Sequence, residues 1–167
     1  KKNLMHRVSQ NVMPFPKIIL QRGALLDSMH SVSVSIENEY HKAYTTRNVI
    51  AFLPGKVDSF IVFTAHYDHL GEMGEGIYFP GANDNASGTA MVLELARHFA
   101  KNKKKLKYSM AFIFFSAEEM GLVGSFHYVS KPVFPLSRIK FLINLDMVGS
   151  GDNGIKVVNG TEHKNEF

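Results

Sequence analysis

The sequence predicts an α/β sandwich, and three observations carry that expectation. From Asn48 onward, strand-like and helix-like stretches alternate: NVIAFL, FIVFTAH, SGTAMVLELARHFAK, YSMAFIFF, SAEEMGLVGSFHYVS and RIKFLINLDMVG. The strand-like runs are almost continuously apolar, the pattern of strands buried on both faces. Hydrophobic residues make up 45% of the 167, with 13 Phe among them, enough to fill the core of one domain. Such alternation covers a central sheet with helices on both faces. Ligands of such sheets bind beyond the carboxyl ends of the strands, where the loops diverge.

Taken in order, the elements are these. In the first fifty residues, MPFPKIILQRGALLDSM suggests a short strand after two prolines and then a helical turn, and SVSVSI alternates with period two as a half-buried strand does. NVIAFL, the turn PGK and FIVFTAH follow in quick succession and read as neighbouring strands of one sheet. LGEMGEGIYFPGANDNASG is too polar and too broken by glycine for a core element. In SGTAMVLELARHFAK, the residues Met91, Val92, Leu95, Ala96 and Phe99 mark one helical face, with Ser87 placed to cap its start. YSMAFIFF is then a strand, SAEEMGLVGSFHYVS a second helix, and RIKFLINLDMVG the last strand.

Charge and composition exclude several functions. The net charge of +4 owes much to the run KNKKKLK, Lys101–Lys107, which lacks interleaved aromatic residues and reads as a solvated connection, not a nucleic-acid surface. No apolar run reaches the roughly 20 residues of a membrane span, so none is expected, and the start KKNLMHRVSQ lacks a signal-peptide core. Without Cys there is no disulfide, thiolate site or Cys nucleophile, so a metal would have to be held by His and carboxylates.

Polar residues gather where the apolar strands stop. FIVFTAH ends in His66 and is followed by Asp68 and His69; FIFFSAEE brings Glu118 and Glu119; FLINLD brings Asp146; Asp84 lies in the loop GANDNASG. A single acid after a strand is more often a cap or turn residue. Several on one sheet edge would repel one another unless cations neutralise them. Imidazole offered with carboxylates suits Zn²⁺ first, with cobalt or manganese as alternatives. A pair of ions needs a shared ligand, a position that a loop carboxylate such as Asp84 suits. Of the adjacent Glu118 and Glu119, one would face a metal and the other would act on water as general base.

TAHYDHLG, PGANDNASGTA, FFSAEEMGLVGS and INLDMVG, in this order and spacing, resemble the M28 family of zinc aminopeptidases from about Asn48 to the end of the chain. The resemblance implies a phosphorylase/hydrolase-like, three-layer α/β/α sandwich with a mixed, mostly parallel sheet, two zinc ions per catalytic domain, and a peptide substrate. Carried over by residue, His66 and Asp146 would hold one zinc, Glu119 the other, and Asp84 both. Glu118 would be the general base, and Asp68 the acid that fixes the tautomer and orientation of His66. His69 matches no ligand position, which leaves it a surface or satisfied polar role. The resemblance also implies a cis peptide between Asp84 and Asn85, at home among Gly81, Ala82, Ala86 and Gly88. Asn85 to Ser87 spell a glycosylation triplet, which a buried site loop cannot use.

The family's last metal ligand, a His well beyond the acid matching Asp146, has no counterpart, since His163 comes too soon. Residues 48–167 therefore read as the N-terminal part of an M28 catalytic domain, and 1–47 as the remnant of a protease-associated insert or N-terminal extension. This stretch alone would be inactive. The resemblance favours a secreted, periplasmic or cell-envelope location and an aminopeptidase. The alternatives are a non-catalytic binding module that kept the fold and lost the metals, a carboxypeptidase or dipeptidase, and a one-zinc glutaminyl cyclase relative that would not need His66. Residues His66, Glu119 and Asp146, borne by strand ends, should stand in place without metal, whereas the loop from Gly71 to Ser87 is expected to be displaced or disordered, because four acids without cations repel.

Overall fold

The computed structural model describes residues 28, 31, 33–35, 39–72, 75–151 and 154–162. The strand and helical turn expected in MPFPKIILQRGALLDSM lie outside the described residues, apart from Ser28 in a turn. In SVSVSI the described residues, Ser31 and Ser33 to Ser35, are exposed and form no ladder. Period-two alternation marks what a strand would bury but supplies no partner. Ser9–Thr45 forms a unit of its own; the residues from Thr46 onward form the body that carries the polar strand ends.

Four strands build that body's sheet among the described residues: β1 (Val49–Leu53), β2 (Val57–His66), β3 (Tyr108–Phe115) and β4 (Ile139–Asn144). Their order is β1-β3-β2-β4, with β1 antiparallel to β3 and β2 parallel to both β3 and β4. The sheet is mixed and mostly parallel, as expected. β1 and β2 share it but are not neighbours, because β3 lies between them. The PGK turn explains this. Instead of folding β2 back onto β1, it crosses the start of β3: Gly55 N donates to Ser109 Oγ at 3.0 Å, Lys56 N to Leu106 O at 3.2 Å and Val57 N to Lys107 O at 2.9 Å. A Cβ on Gly55 would sit 2.3 Å from the Tyr108 carbonyl carbon, so only glycine permits the crossing.

Two helices cover opposite faces. Successive strand residues point to opposite sides, and on one side Phe60, Val62, Ala111 and Ile113 pack with Tyr128 of α2 (Val123–Ser130) and with Phe134. On the other side Phe63, Ala65, Phe112 and Phe114 pack with Val92 of α1 (Gly88–Lys101), joined by Leu95, Ala96 and Phe99. The result is a three-layer sandwich. Met91, expected on the buried face of α1, is exposed, because the contact stripe is centred on Val92 and runs through Leu95, Ala96 and Phe99. Among the described residues no helix is long and apolar enough to cross a membrane.

The second helix is shorter than its pattern. It begins at Val123, and Ala117, Gly121 and Leu122 have φ of 54°, 94° and 62°, left-handed values that end any helix through SAEEMGL. Glu118 and Glu119 therefore sit on a turn at the carboxyl end of β3.

Candidate metal centre

The site begins with register. Thr64 of β2 is paired with Asn144 of β4, Thr64 Oγ1 donates to Asn144 Oδ1 at 2.7 Å, and Leu145 N donates to Thr64 O at 2.8 Å. His66 and Asp146 each lie two residues beyond that pair, so strand pairing brings them side by side on the same face. The His66 ring is buried, 4% exposed, and its Nδ1 lies 3.1 Å from the main-chain oxygen of Asp68. A carbonyl can only accept, so Nδ1 donates to it, and Nε2 is the ring nitrogen turned toward the acids. Nε2 faces acids on three sides: Asp84 Oδ1 at 3.2 Å, Asp146 Oδ1 at 3.6 Å and Glu118 Oε2 at 3.9 Å.

Asp68 differs from its expected part. Its carboxylate is 3.7 Å from His66 Nδ1, farther than its own carbonyl, and instead accepts the backbone N–H of Glu118 at 3.0 Å and of Glu119 at 3.1 Å. The acid thus holds the Glu118–Glu119 turn, while the main chain beside it orients the imidazole.

Asp84 is placed by its neighbours. The peptide between Asp84 and Asn85 is cis, as the sequence resemblance implies. Asn85, 2% exposed, donates through Nδ2 to Leu145 O at 3.0 Å and accepts from Gly88 N at 3.0 Å and Met147 N at 3.3 Å. Ser87 does not cap α1 through its side chain; its Oγ donates to Asn83 O at 2.6 Å and accepts from Val148 N at 3.0 Å. Asn83 Oδ1 accepts from Gly149 N at 2.9 Å. These bonds stitch the Asp84 loop to the chain on both sides of Asp146. A Cβ on Gly88 would meet Leu145 O at 2.3 Å and Asn85 Oδ1 at 2.4 Å, so the two segments approach only over glycine. Asn85, Ser87 and Asn83 supply bonds that hold Asp84 against His66.

Two groups of donors result among the described residues. His66, Asp84 and Asp146 offer atoms within 4.8 Å of one another, and so do His69, Asp84 and Glu119. Asp84 belongs to both. His69 Nδ1 lies 2.9 Å from Glu119 Oε1, which gives it a satisfied polar role inside the cluster. Glu118 belongs to neither group, and its pKa is raised. Burial is the main cause; His66 opposes it, while Glu119, Asp146 and Asp68 add to it. This carboxyl holds a proton more readily than an exposed glutamate does.

The structure therefore brings together His66, Asp84, Glu118, Glu119 and Asp146, with Asp68 beneath the pair of glutamates. His163 lies outside the described residues. Sequence reasoning missed Asn85, Ser87 and Asn83 as anchors. Their only signal was the density of short hydrogen-bonding side chains in NDNAS.

A family model described as Peptidase family M28 matches residues 48–167. Aminopeptidase YwaD of Bacillus subtilis (strain 168) is 40% identical over 114 residues, 64% of this chain and 22% of that protein. A probable zinc metalloprotease of Pyrenophora teres f. teres (strain 0-1) is 33% identical over 140 residues, 80% of this chain and 29% of that protein. The solved structure of a glutaminyl cyclase from Bacteroides thetaiotaomicron, bound to N-acetylhistamine, has a TM-score of 0.55 at 27% identity, over 71% of this chain and 48% of that one. The chain thus spans less than a third of the length of these two curated relatives.

Proposed function

Because the chain belongs to peptidase family M28, we propose that it carries the metal-binding strand ends of a zinc-dependent exopeptidase, an aminopeptidase that removes N-terminal residues from peptides. One observation carries this reading: Asp84 stands in both donor groups, with His66 and Asp146 in one and with His69 and Glu119 in the other. A tetrahedral zinc with bonds of about 2.0–2.1 Å needs donors roughly 3.3 Å apart. His66 Nε2 meets that requirement at 3.2 Å from Asp84 and 3.6 Å from Asp146. The donor set of imidazole and carboxylates fits zinc by chemistry as well. His66 and Asp146 would hold one ion, Glu119 a second, and Asp84 both.

When bound, zinc supplies Lewis acidity that polarises a scissile carbonyl and makes water easier to deprotonate. The remaining work belongs to the chain. Glu118 takes a proton from the attacking water onto its carboxylate and passes it to the leaving amine. Asp68 fixes the main chain of Glu118 and Glu119, so the proton carrier and the ligand keep a constant offset. Spare carboxylate oxygens in the site hold the free N-terminus of the peptide.

A second reading draws on the likeness to the glutaminyl cyclase structure. Such an enzyme would use one zinc and would not need His66, yet His66 is the most buried and most surrounded donor here. Elemental analysis of the full-length protein, with parallel assays on aminoacyl anilides and on peptides beginning with glutamine, separates the readings. Two zinc ions and release of the aniline are expected. One zinc with pyroglutamate formation would transfer the protein to the second reading, and zinc-free protein inert in both assays would make it a binding module.

A further inference from the structure

We propose that His69 is a positioning residue for Glu119, its ring N–H holding one carboxylate oxygen so that the other is presented toward Asp84. The inference rests on the zinc reading above and extends it to a residue that no ligand motif includes.

The distance fits this role. His69 Nδ1 is 2.9 Å from Glu119 Oε1, the usual length of an N–H···O hydrogen bond. Two ligands of one tetrahedral zinc stand about 3.3 Å apart, the spacing that His66 Nε2 shows toward Asp84 and Asp146 at 3.2 and 3.6 Å. His69 thus stands at hydrogen-bond distance from Glu119, in a group whose atoms could also hold an ion, and the variants below separate the two roles. The pair is sheltered, with side chains 20% and 18% exposed. The ring also lies against the Asp84 loop, since a Cβ on Gly81 would come within 3.2 Å of His69 Cγ and Cδ2.

Glu119 is then held at both ends by consecutive residues. Asp68 Oδ2 accepts its main-chain N–H at 3.1 Å, and His69 donates to its carboxylate. A free glutamate side chain loses rotamer entropy when it is fixed on an ion, and a partner that has already fixed it removes part of that cost. Hydrogen-bond partners of carboxylate ligands typically change metal affinity by 10–100-fold. The segment HYDH thus serves both donor groups, on this proposal with His66 as a donor in one and His69 as the brace of Glu119 in the other.

The test is a zinc titration of metal-free full-length protein by calorimetry, with chelator competition for the tighter equivalent. Unmutated protein should take two equivalents. His69→Ala should weaken one of them about 10–100-fold and leave the other. His69→Asn, whose amide N–H lies near the position of Nδ1 but which is a poor zinc ligand, should recover affinity to within a few-fold. An unchanged His69→Ala, or a His69→Asn as weak as His69→Ala, overturns the proposal, the second result by making His69 a direct ligand. Failure of the unmutated protein to take a second equivalent would overturn the two-ion reading and this proposal with it, and shows without any variant.

Discussion

Glu118 and Glu119 are adjacent, equal in chemistry, and turned to different tasks by what surrounds them. Glu119 Oε1 is bonded to His69, whereas Glu118 stands 3.9 Å from His66 Nε2 and outside both donor groups. In the full-length protein, Glu118→Gln should keep its zinc and lose at least about 10²-fold in kcat, since general bases contribute about that much or more. Glu119→Gln should lose zinc before it loses fold, and elemental analysis beside steady-state rates distinguishes the two. A variant of either residue with normal zinc and normal turnover would refute the division. Glu118 also has a signature without metal. Burial raises its pKa, so above the unfolded carboxyl value of about 4.3 the folded state binds more protons than the unfolded state. Its contribution to stability therefore falls as pH rises through that window and is most unfavourable above the raised value. Metal-free Glu118→Gln should melt higher than metal-free wild type at pH 7, with the difference fading as pH drops below about 4. An equal gap at both pH values would show that burial of the charge is not the cause.

Among the elements, strands were more legible than the segments that join them. YSMAFIFF matches β3 from Tyr108 to Phe115, because a continuous apolar run bounded by polar residues has few other buried solutions. The neighbour of β1 was not legible, since β3 arrives some fifty residues later in sequence and nothing in NVIAFL names it. SAEEMGLVGSFHYVS looked helical throughout, because periodicity does not register the left-handed residues Ala117 and Leu122. The candidate site was readable as residue types at strand ends and as a family resemblance. The device that holds its loop was not readable, because one asparagine among many polar neighbours carries no label. Asn85→Ala tests that device. It would take the side-chain partner from Met147 N and Leu145 O, both part-buried bonds, and leave Gly88 N only the main-chain oxygen of residue 85, and each group left unsatisfied costs about 1–3 kcal/mol. A loss of roughly 3 kcal/mol in denaturant unfolding is expected, together with weaker zinc binding, because Asp84 loses its anchor. A loss below about 1 kcal/mol would mean that water or relaxation replaces those bonds, and that Asn85 does not set the loop.

At the scale of the whole body, the remaining issue is whether metal builds this site or only fills it. The sheet supplies most of the answer. His66 and Asp146 follow strands paired at Thr64 and Asn144, Glu118 and Glu119 hang from the end of β3 by the carboxylate of Asp68, and Asp84 is tied down by Asn85. These supports are hydrogen bonds and strand pairing within the chain, and the two apolar clusters lie on either face of β2 and β3, with Phe112 and Ile113 at most 1% exposed. This differs from small zinc domains, in which metal affinity is the folding energy itself. Here a ligand that binds only the folded state should add stability by mass action, about 2.7 kcal/mol for each ion held at 100 times its dissociation constant. Chelation of the full-length protein should therefore lower its melting midpoint by several degrees and abolish turnover, while the far-ultraviolet circular dichroism at 25 °C stays that of the zinc-loaded protein. Added zinc should restore both midpoint and activity, since the donors have kept their places. Loss of the secondary-structure signal on chelation would show instead that repulsion among Asp84, Glu118, Glu119 and Asp146 exceeds what the strand pairing and the Asn85 bonds can hold, and that metal is part of the fold.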